Sequence, residues 1–198
     1  MSVPLLTRLK GNCNRGSKAM RYAAMQTSLS TARLNMELRS ERDAEWNYEL
    51  LGEHEGGVTE SLQSVRDRMA SQRMLAEQNG IGLLTIRRRA DAEPLGYCGL
   101  IVGRCTLDEP EIAFELFKRF HGQGYGTEAA RAVLDAAFAT GRRRIWSTVG
   151  GWNKPSLRVL EKIGFERHHE TVDDRGRPLI YLTREASTLH GQPARELG

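Results

Sequence analysis

Residues 114–130, FELFKRFHGQGYGTEAA, place three glycines at alternate positions just before a helical pattern begins. Gly122, Gly124 and Gly126 leave the backbone bare where a strand turns into a helix. Without Cβ atoms the chain can enter left-handed conformations, and successive amide N–H groups can converge at the positive end of the helix dipole. The chemistry served by such a loop is the binding of an anion, above all a phosphate-bearing ligand. Two familiar phosphate loops do not fit. A P-loop ends in Lys followed by Ser or Thr, whereas Gly126 is followed by Thr127 and Glu128. A dinucleotide fingerprint puts its third glycine where Thr127 stands and opens a βαβ unit.

Other reactive side chains also fit ordinary structural roles. His168, His169 and Glu170 suggest a metal site, but adjacent strand residues point to opposite faces, so the two imidazoles are not expected to share one ion, and no metal is expected. Cys13, Cys98 and Cys105 are odd in number and lack metal-ligand spacing, which argues against disulfides and for a reducing, cytoplasmic setting. Cys98 reads as a small core residue of a strand. Trp46, Tyr48, Trp146 and Trp152 are candidates for an acceptor groove or, beside apolar neighbours, for core.

The elements that position these residues follow from periodicity. Residues 29–38 alternate as a strand, and 43–51 read as a short helix. Residues 61–78 form a longer amphipathic pattern with Leu62, Val65, Met69 and Leu75 on one side. GLLTIRRR at 82–89 and PLGYCGLIVG at 94–103 read as a strand pair around a polar turn, followed by a strand at 111–117. From Gly124 the period becomes helical through Ala129, Ala130, Val133, Leu134, Ala137 and Phe138, ending at Gly141. A strand at 144–149 precedes a helix that Asn153 caps, with Pro155 in its first turn and Gly164 at its end. Residues 167–172 and 177–183 form a hairpin over Asp-Asp-Arg-Gly.

Composition sets outer limits. The chain has 198 residues, 39% hydrophobic and 27% charged, which suits one globular domain. No run approaches the roughly 20 apolar residues of a membrane span, so no membrane partner is expected. Residues 1–36 hold Arg8, Lys10, Arg15, Lys18, Arg21 and Arg33 without an acid, and removing these six from 29 bases leaves 23 against 25 acids. The basic character therefore belongs to the beginning of the chain. Residues 1–27 read as a disordered basic extension, 28–186 as the domain, and 187–198 as a flexible tail. The arginine runs at 87–89 and 142–144 read as exposed element ends, which disfavours nucleic acid as a partner.

The loop resembles motif A of the GNAT superfamily of N-acetyltransferases, Arg/Gln-x-x-Gly-x-Gly/Ala, with Gly124 and Gly126 as its glycines and His121 in the place of Arg or Gln. WNKPSLRVLEKIGF at 152–165 resembles motif B. The resemblance spans about residues 31–183 and is nearest the RimJ/RimL-like branch, whose openings are similar to TARLNMELRSERDAEWNYELL. It implies an α+β fold of order βααβββαβαββ, a mixed, mostly antiparallel sheet flanked by helices. The implied activity is transfer of an acetyl group from acetyl-CoA, the donor substrate, to a primary amine of a protein N-terminus or small molecule. The partner is then the amine acceptor, and the resemblance is compatible with a homodimer.

By the same resemblance, residues Gly122, Gln123, Gly124, Tyr125, Gly126 and Thr127 form a pyrophosphate nest, and the main chain of Leu116 holds the thioester carbonyl or pantetheine arm. Asn153 is either a helix cap or the contact to pantetheine. Ser156 is either the acid that protonates the departing thiolate or part of the cap. The helical segment at 61–78 flanks the acceptor site. Glu111 stands where the branch places Glu before an Ile-Gly-Tyr-like triplet, here Ile112, Ala113 and Phe114. Alternation sets Glu111, Ala113 and Glu115 on one face, with Glu111 the first choice of general base, Glu115 and Glu170 its rivals, and a solvated strand-edge role the alternative. Two other classes remain: a non-catalytic acyl-CoA-binding module, and an RNA-binding adaptor that uses the basic extension.

Overall fold

The structure is a computed structural model in which residues 21–54 and 56–187 are described. Its elements are β1 (Ser28–Ser30), β2 (Leu34–Leu38), α1 (Ala44–Gly52), α2 (Leu62–Asn79), β3 (Leu83–Arg88), β4 (Pro94–Ile101), β5 (Glu111–Leu116), α3 (Tyr125–Ala139), β6 (Arg144–Gly150), α4 (Lys154–Lys162), β7 (Glu166–Val172) and β8 (Pro178–Glu185). The strands form one sheet in the order β1-β2-β3-β4-β5-β6-β8-β7. Every neighbouring pair is antiparallel except β5 with β6, whose parallel ladder consists of a single register pair, Glu111 with Trp146. This is the GNAT fold in its α+β class, with one more strand than expected.

The extra strand arises because the expected run at 29–38 breaks at residue 31. The Leu34 N–H donates to Thr31 Oγ1 (3.1 Å), and the Thr31 N–H donates to the Leu34 carbonyl (2.9 Å). A threonine that bonds its own backbone three residues on closes a turn within an otherwise alternating pattern.

The two faces of the sheet differ in chemistry. Leu34, Met36, Leu84, Ile86, Cys98, Leu100 and Ile112 join the main core, together with Ala129, Ala130, Val133 and Ala137 of α3 and Leu157 and Leu160 of α4. The buried stripe of α3 repeats at three- and four-residue spacing, as its sequence implies. On the opposite side α1 and α2 enclose a smaller cluster of Ala44, Val65 and Met69. Leu75, expected on the buried side of α2, is 38% exposed. At about 100° per residue it lies roughly 80° from Val65, whereas Ala76 falls within about 20° and is buried in its place.

The end of the presumed extension is part of the body. The Met25 side chain is buried, its N–H donates to the Gly80 carbonyl (2.8 Å), and the Ala23 N–H reaches the Thr140 carbonyl (3.3 Å). Residues 21–27 therefore run across the ends of α2 and α3. The rest of the expected extension, 1–20, and the expected tail from 188 onward lie outside the described residues. Among the described residues no helix is long and apolar enough to cross a membrane.

Candidate active site

The glycine-rich loop delivers the chain into α3 through Gly122 at φ 76° and Gly124 at φ 84°. Gly124 is the residue before the first helical turn, and the first intrahelical bond is Glu128 N–H to the Gly124 carbonyl (3.0 Å). The N–H groups of Tyr125, Gly126 and Thr127 precede that bond and so have no intrahelical acceptor. They point out of the helix at its positive end, where an anion is favoured.

A clamp from a distant part of the chain holds this turn. Glu128 accepts from Thr31 Oγ1 (2.6 Å), Arg33 N–H (3.0 Å) and Arg33 Nε (2.7 Å). The same guanidinium donates to the Gln123 carbonyl (3.0 Å) and lies 4.5 Å from the Tyr125 ring centre. Burial works to raise the Glu128 pKa, but the bonds from Thr31 and Arg33 outweigh it and the net shift is downward. A depressed carboxylate adds stability above its unfolded-state pKa, and that contribution is lost as pH falls through the folded-state value. Glu128→Gln is expected to cost about 1.5–3 kcal/mol at pH 7 and progressively less in acid, checked by urea melts at several pH values. Beside the clamp lies an open groove of about 530 Å³, bordered by Arg33, Thr127, Glu128, Arg131 and Lys162. Neither Arg33 nor Glu128 was singled out from sequence; an acid in the first turn of a glycine-led helix was the available signal.

The loop follows directly from β5, whose free edge is set by its pairing with β4. The Phe117 N–H donates to the Leu95 carbonyl (3.0 Å), and the register opposes Glu115 to Tyr97 and Ala113 to Gly99. Antiparallel alternation then turns the main-chain groups of Ile112, Phe114 and Leu116 toward β6. The Ile112 carbonyl meets Ser147 Oγ (3.4 Å), but the β5–β6 ladder does not continue past Glu111 and Trp146. Phe114 and Leu116 thus present N–H groups to a parting of the sheet that leads into the glycine loop. His121 Nε2 bonds the Leu116 carbonyl (2.9 Å). The imidazole in the motif's first position therefore braces the end of β5.

Across the parting, α4 begins at Asn153, whose Oδ1 accepts from the Ser156 N–H (3.2 Å). The capping role of Asn153 is the one visible in this structure, and Ser156 sits half-buried in the first turn. Trp152 is 41% exposed beneath the Arg177 guanidinium, 4.2 Å from its ring centre. Trp46 is buried edge-on to Phe117, and Tyr48 packs on the cluster between α1 and α2.

The candidate carboxylates occupy three different environments. Glu111 is 1% exposed, so it is no solvated edge residue; its Oε1 accepts from Arg104 N–H (2.5 Å) and its Oε2 is buried without a partner among the described residues. The neighbouring Cys105 thiol has its pKa pushed up to about 12, by burial first and then by the Glu111 charge. Glu115, on the same face, bonds Tyr97 Oη (2.9 Å) and His54 Nε2. Glu170 lies on exposed β7, paired with Arg167 (3.0 Å), and is not brought to the parting.

The alternation argument about His168 and His169 fails. A register shift in β7 between Arg167 and His169 puts both rings beside Trp146, with their Nδ1 atoms 2.9 Å apart. An extra residue in one strand cancels the change of face that alternation requires. Among the described residues no group of three or more His, Cys, Asp or Glu is arranged to hold a metal.

Residues 20–166 match the family described as "Acetyltransferase (GNAT) domain". A curated relative, the uncharacterized protein YkkB of Bacillus subtilis, is 30% identical over 109 residues, 54% of this chain; the chain spans 63% of that relative's length. An acetyltransferase-family structure from Bordetella pertussis is 22% identical with a TM-score of 0.71, covering 80% of this chain and 99% of that one. RimL, a ribosomal L7/L12 α-N-protein acetyltransferase solved with coenzyme A, is 14% identical with a TM-score of 0.67, covering 78% and 95%. At these identities the structures support the fold, while the family match extends over the loop, the parting strands and the start of α4: the chain belongs to the GNAT family of acetyltransferases.

Proposed function

We propose that this protein moves the acetyl group of acetyl-CoA to a primary amine by direct attack of the amine on the thioester. The observation that carries this reading is the presence of two sets of free main-chain donors on one stretch of chain, Phe114 and Leu116 at the parted edge of β5 and the first turn of α3. Gly122, Gln123, Gly124, Tyr125, Gly126 and Thr127 would hold the diphosphate of coenzyme A. The Leu116 and Phe114 N–H groups would bond the pantetheine arm and the thioester carbonyl, with the Asn153 amide meeting the arm from the other side.

A thioester is already activated, so placement and charge stabilisation account for most of the acceleration. Glu111 is enclosed and has one unpartnered oxygen; in this reading it draws a water toward the reacting nitrogen. Ser156 gives its hydroxyl proton to the departing thiolate. Ser156→Ala is expected to lower kcat about 10- to 100-fold with acetyl-CoA affinity within twofold of wild type, measured by steady-state kinetics and calorimetry.

The acceptor class follows from proton energetics. Deprotonating a lysine-like amine at pH 7 costs about 4–5 kcal/mol, an α-amine only about 1–1.5. The lower cost favours a protein N-terminus, in keeping with the RimJ/RimL-like opening of the chain and a cytoplasmic site of action. Mixing the protein with acetyl-CoA and a panel of N-terminal peptides, polyamines and aminoglycosides, while following free thiol, tests this reading. Thiol release with an acceptor supports it; tight cofactor binding with no release from any acceptor would make the chain a non-catalytic acyl-CoA-binding module.

A further inference from the structure

The sheet face under α1 and α2 carries a row of polar side chains where an apolar layer is the rule. Arg39 is 3% exposed; it donates to Gln72 Oε1 (2.5 Å) and lies 4.8 Å from the Tyr97 ring centre. The Tyr97 hydroxyl donates to Glu115 Oε2, and His54, just beyond α1, bonds Glu115 Oε1. Unlike Arg39, the far end of the row is open: the side chains of Glu115 and His54 keep 26% and 16% of their exposure. A carboxylate has roughly four acceptor positions, so two donors leave Glu115 able to receive more.

Glu115 also stands next to the parting, one residue before Leu116, whose N–H faces it. The opposite lip is Thr148, two residues after Trp146, the register partner of Glu111, and therefore on the same sheet face as Glu115. Thr148 Oγ1 is buried and has no partner among the described residues. By that register Thr148 stands level with Ala113, two residues before Glu115, so the two oxygen atoms border the parting diagonally on the side away from α3 and α4.

We infer that Glu115 is the carboxylate that contacts the acceptor's amine and takes its proton, and that His54 is the positioning residue that holds Glu115 and passes the proton on. The inference rests on the acetyl-transfer reading and adds to it the acceptor's place and charge: a primary ammonium entering from the α1–α2 side, between Glu115 and Thr148. The ammonium gives one proton to Glu115, and His54 in its neutral form receives it and releases it to water. The freed lone pair forms the C–N bond at the thioester carbon, and the C–S bond breaks with its electron pair on sulfur. Of the two protons the nitrogen sheds, one leaves through Glu115 and His54, and the other balances the proton delivered to the thiolate.

The electrostatic surroundings suit this relay. The bond to Glu115 raises the His54 pKa from its usual 6.5, with burial opposing. Glu53 also raises it and Lys118 lowers it, while Arg39 and, from α2, Arg68 are the positive charges acting on Tyr97. The upward shift brings the imidazole closer in basicity to an α-amine.

The test uses the full chain with Glu115→Gln, His54→Gln and, as comparator, Glu111→Gln, each checked for an unchanged melting curve. An alanine-initial peptide and spermidine serve as probe acceptors, and calorimetry with acetyl-CoA is run in parallel. Glu115→Gln is expected to reduce turnover of the reactive probe about 100-fold or more with acetyl-CoA affinity within twofold, and Glu111→Gln to reduce it less. His54→Gln is expected to remove the acid limb of kcat/KM that tracks the imidazole. In wild type, NMR should show His54 titrating above 6.5, and lower in Glu115→Gln. Wild-type turnover by Glu115→Gln, or a His54 titration indifferent to that change, overturns the inference while leaving acetyl transfer intact. A protein that takes up no acetyl-CoA overturns both.

Discussion

Gly124→Val is expected to lower affinity for coenzyme A at least about 100-fold, a loss of about 2.7 kcal/mol or more. Position 124 is held at φ 84°, where a β-branched residue is strained, and a Cβ there would lie 3.3 Å from the Arg33 guanidinium. The guanidinium is flexible and can yield, but it is the group that bonds the Gln123 carbonyl and Glu128. Valine therefore acts twice: it turns the peptide away from the geometry that presents the Tyr125 and Gly126 N–H groups, and it loosens the clamp around them. Calorimetric titration with coenzyme A reads the effect directly. Affinity equal to wild type would place the ligand away from α3 and remove the basis for the donor-site assignment. The strain at φ 84° and the loosened clamp should also lower the melting temperature by a few degrees.

Gly96→Ala is expected to produce the largest stability loss, about 3–5 kcal/mol, or failure to fold. Gly96 sits at φ 147°, beside the irregularity in register between β3 and β4. A Cβ would fall 2.0 Å from the Glu115 carbonyl oxygen and 2.7 Å from the Leu116 Cα. Both are main-chain atoms, so no side-chain rotation relieves the clash, and β4 would have to separate from β5. For a domain of this size each 1 kcal/mol corresponds to about 2–4 °C, so a fall of about 6–20 °C is expected in a thermal melt. The displaced atoms belong to the residues that border the parting, so any folded fraction should also lose acetyl-CoA affinity. A melting curve within about 2 °C of wild type would mean that the strands approach less closely than described.

Much of the fold was readable from local signals. Alternation and the 3.6-residue period placed most strands and helices to within a few residues, because backbone sterics and the burial of one face act between near neighbours. The turn at 173–176 was legible for a similar reason: Asp173 bonds the N–H groups of Arg175 and Arg177 within the same few residues. The glycine loop belongs to this class, since φ preferences and a helix terminus are enough to expose a row of N–H groups. Local reasoning failed where one residue altered the pattern. Thr31 divided a strand in two, and the irregularity near His168 brought together side chains that alternation had separated.

The long-range contacts of the candidate site lay beyond such signals. Arg33 meets Glu128 across 95 positions and His54 meets Glu115 across 61. Which N–H groups of β5 are free depends on β6 pairing at Glu111 and then leaving the ladder. What the sequence by itself determined, then, was the sites of bending, capping and anion-binding backbone, together with a family resemblance strong enough to name the acetyl donor. Only the tertiary structure decided which carboxylate is enclosed and which is open, because that depends on how a helix layer and a loop close over one sheet face. The packing of segments far apart in the chain decides whether a charge keeps its water or gains protein partners, and no local periodicity encodes that outcome.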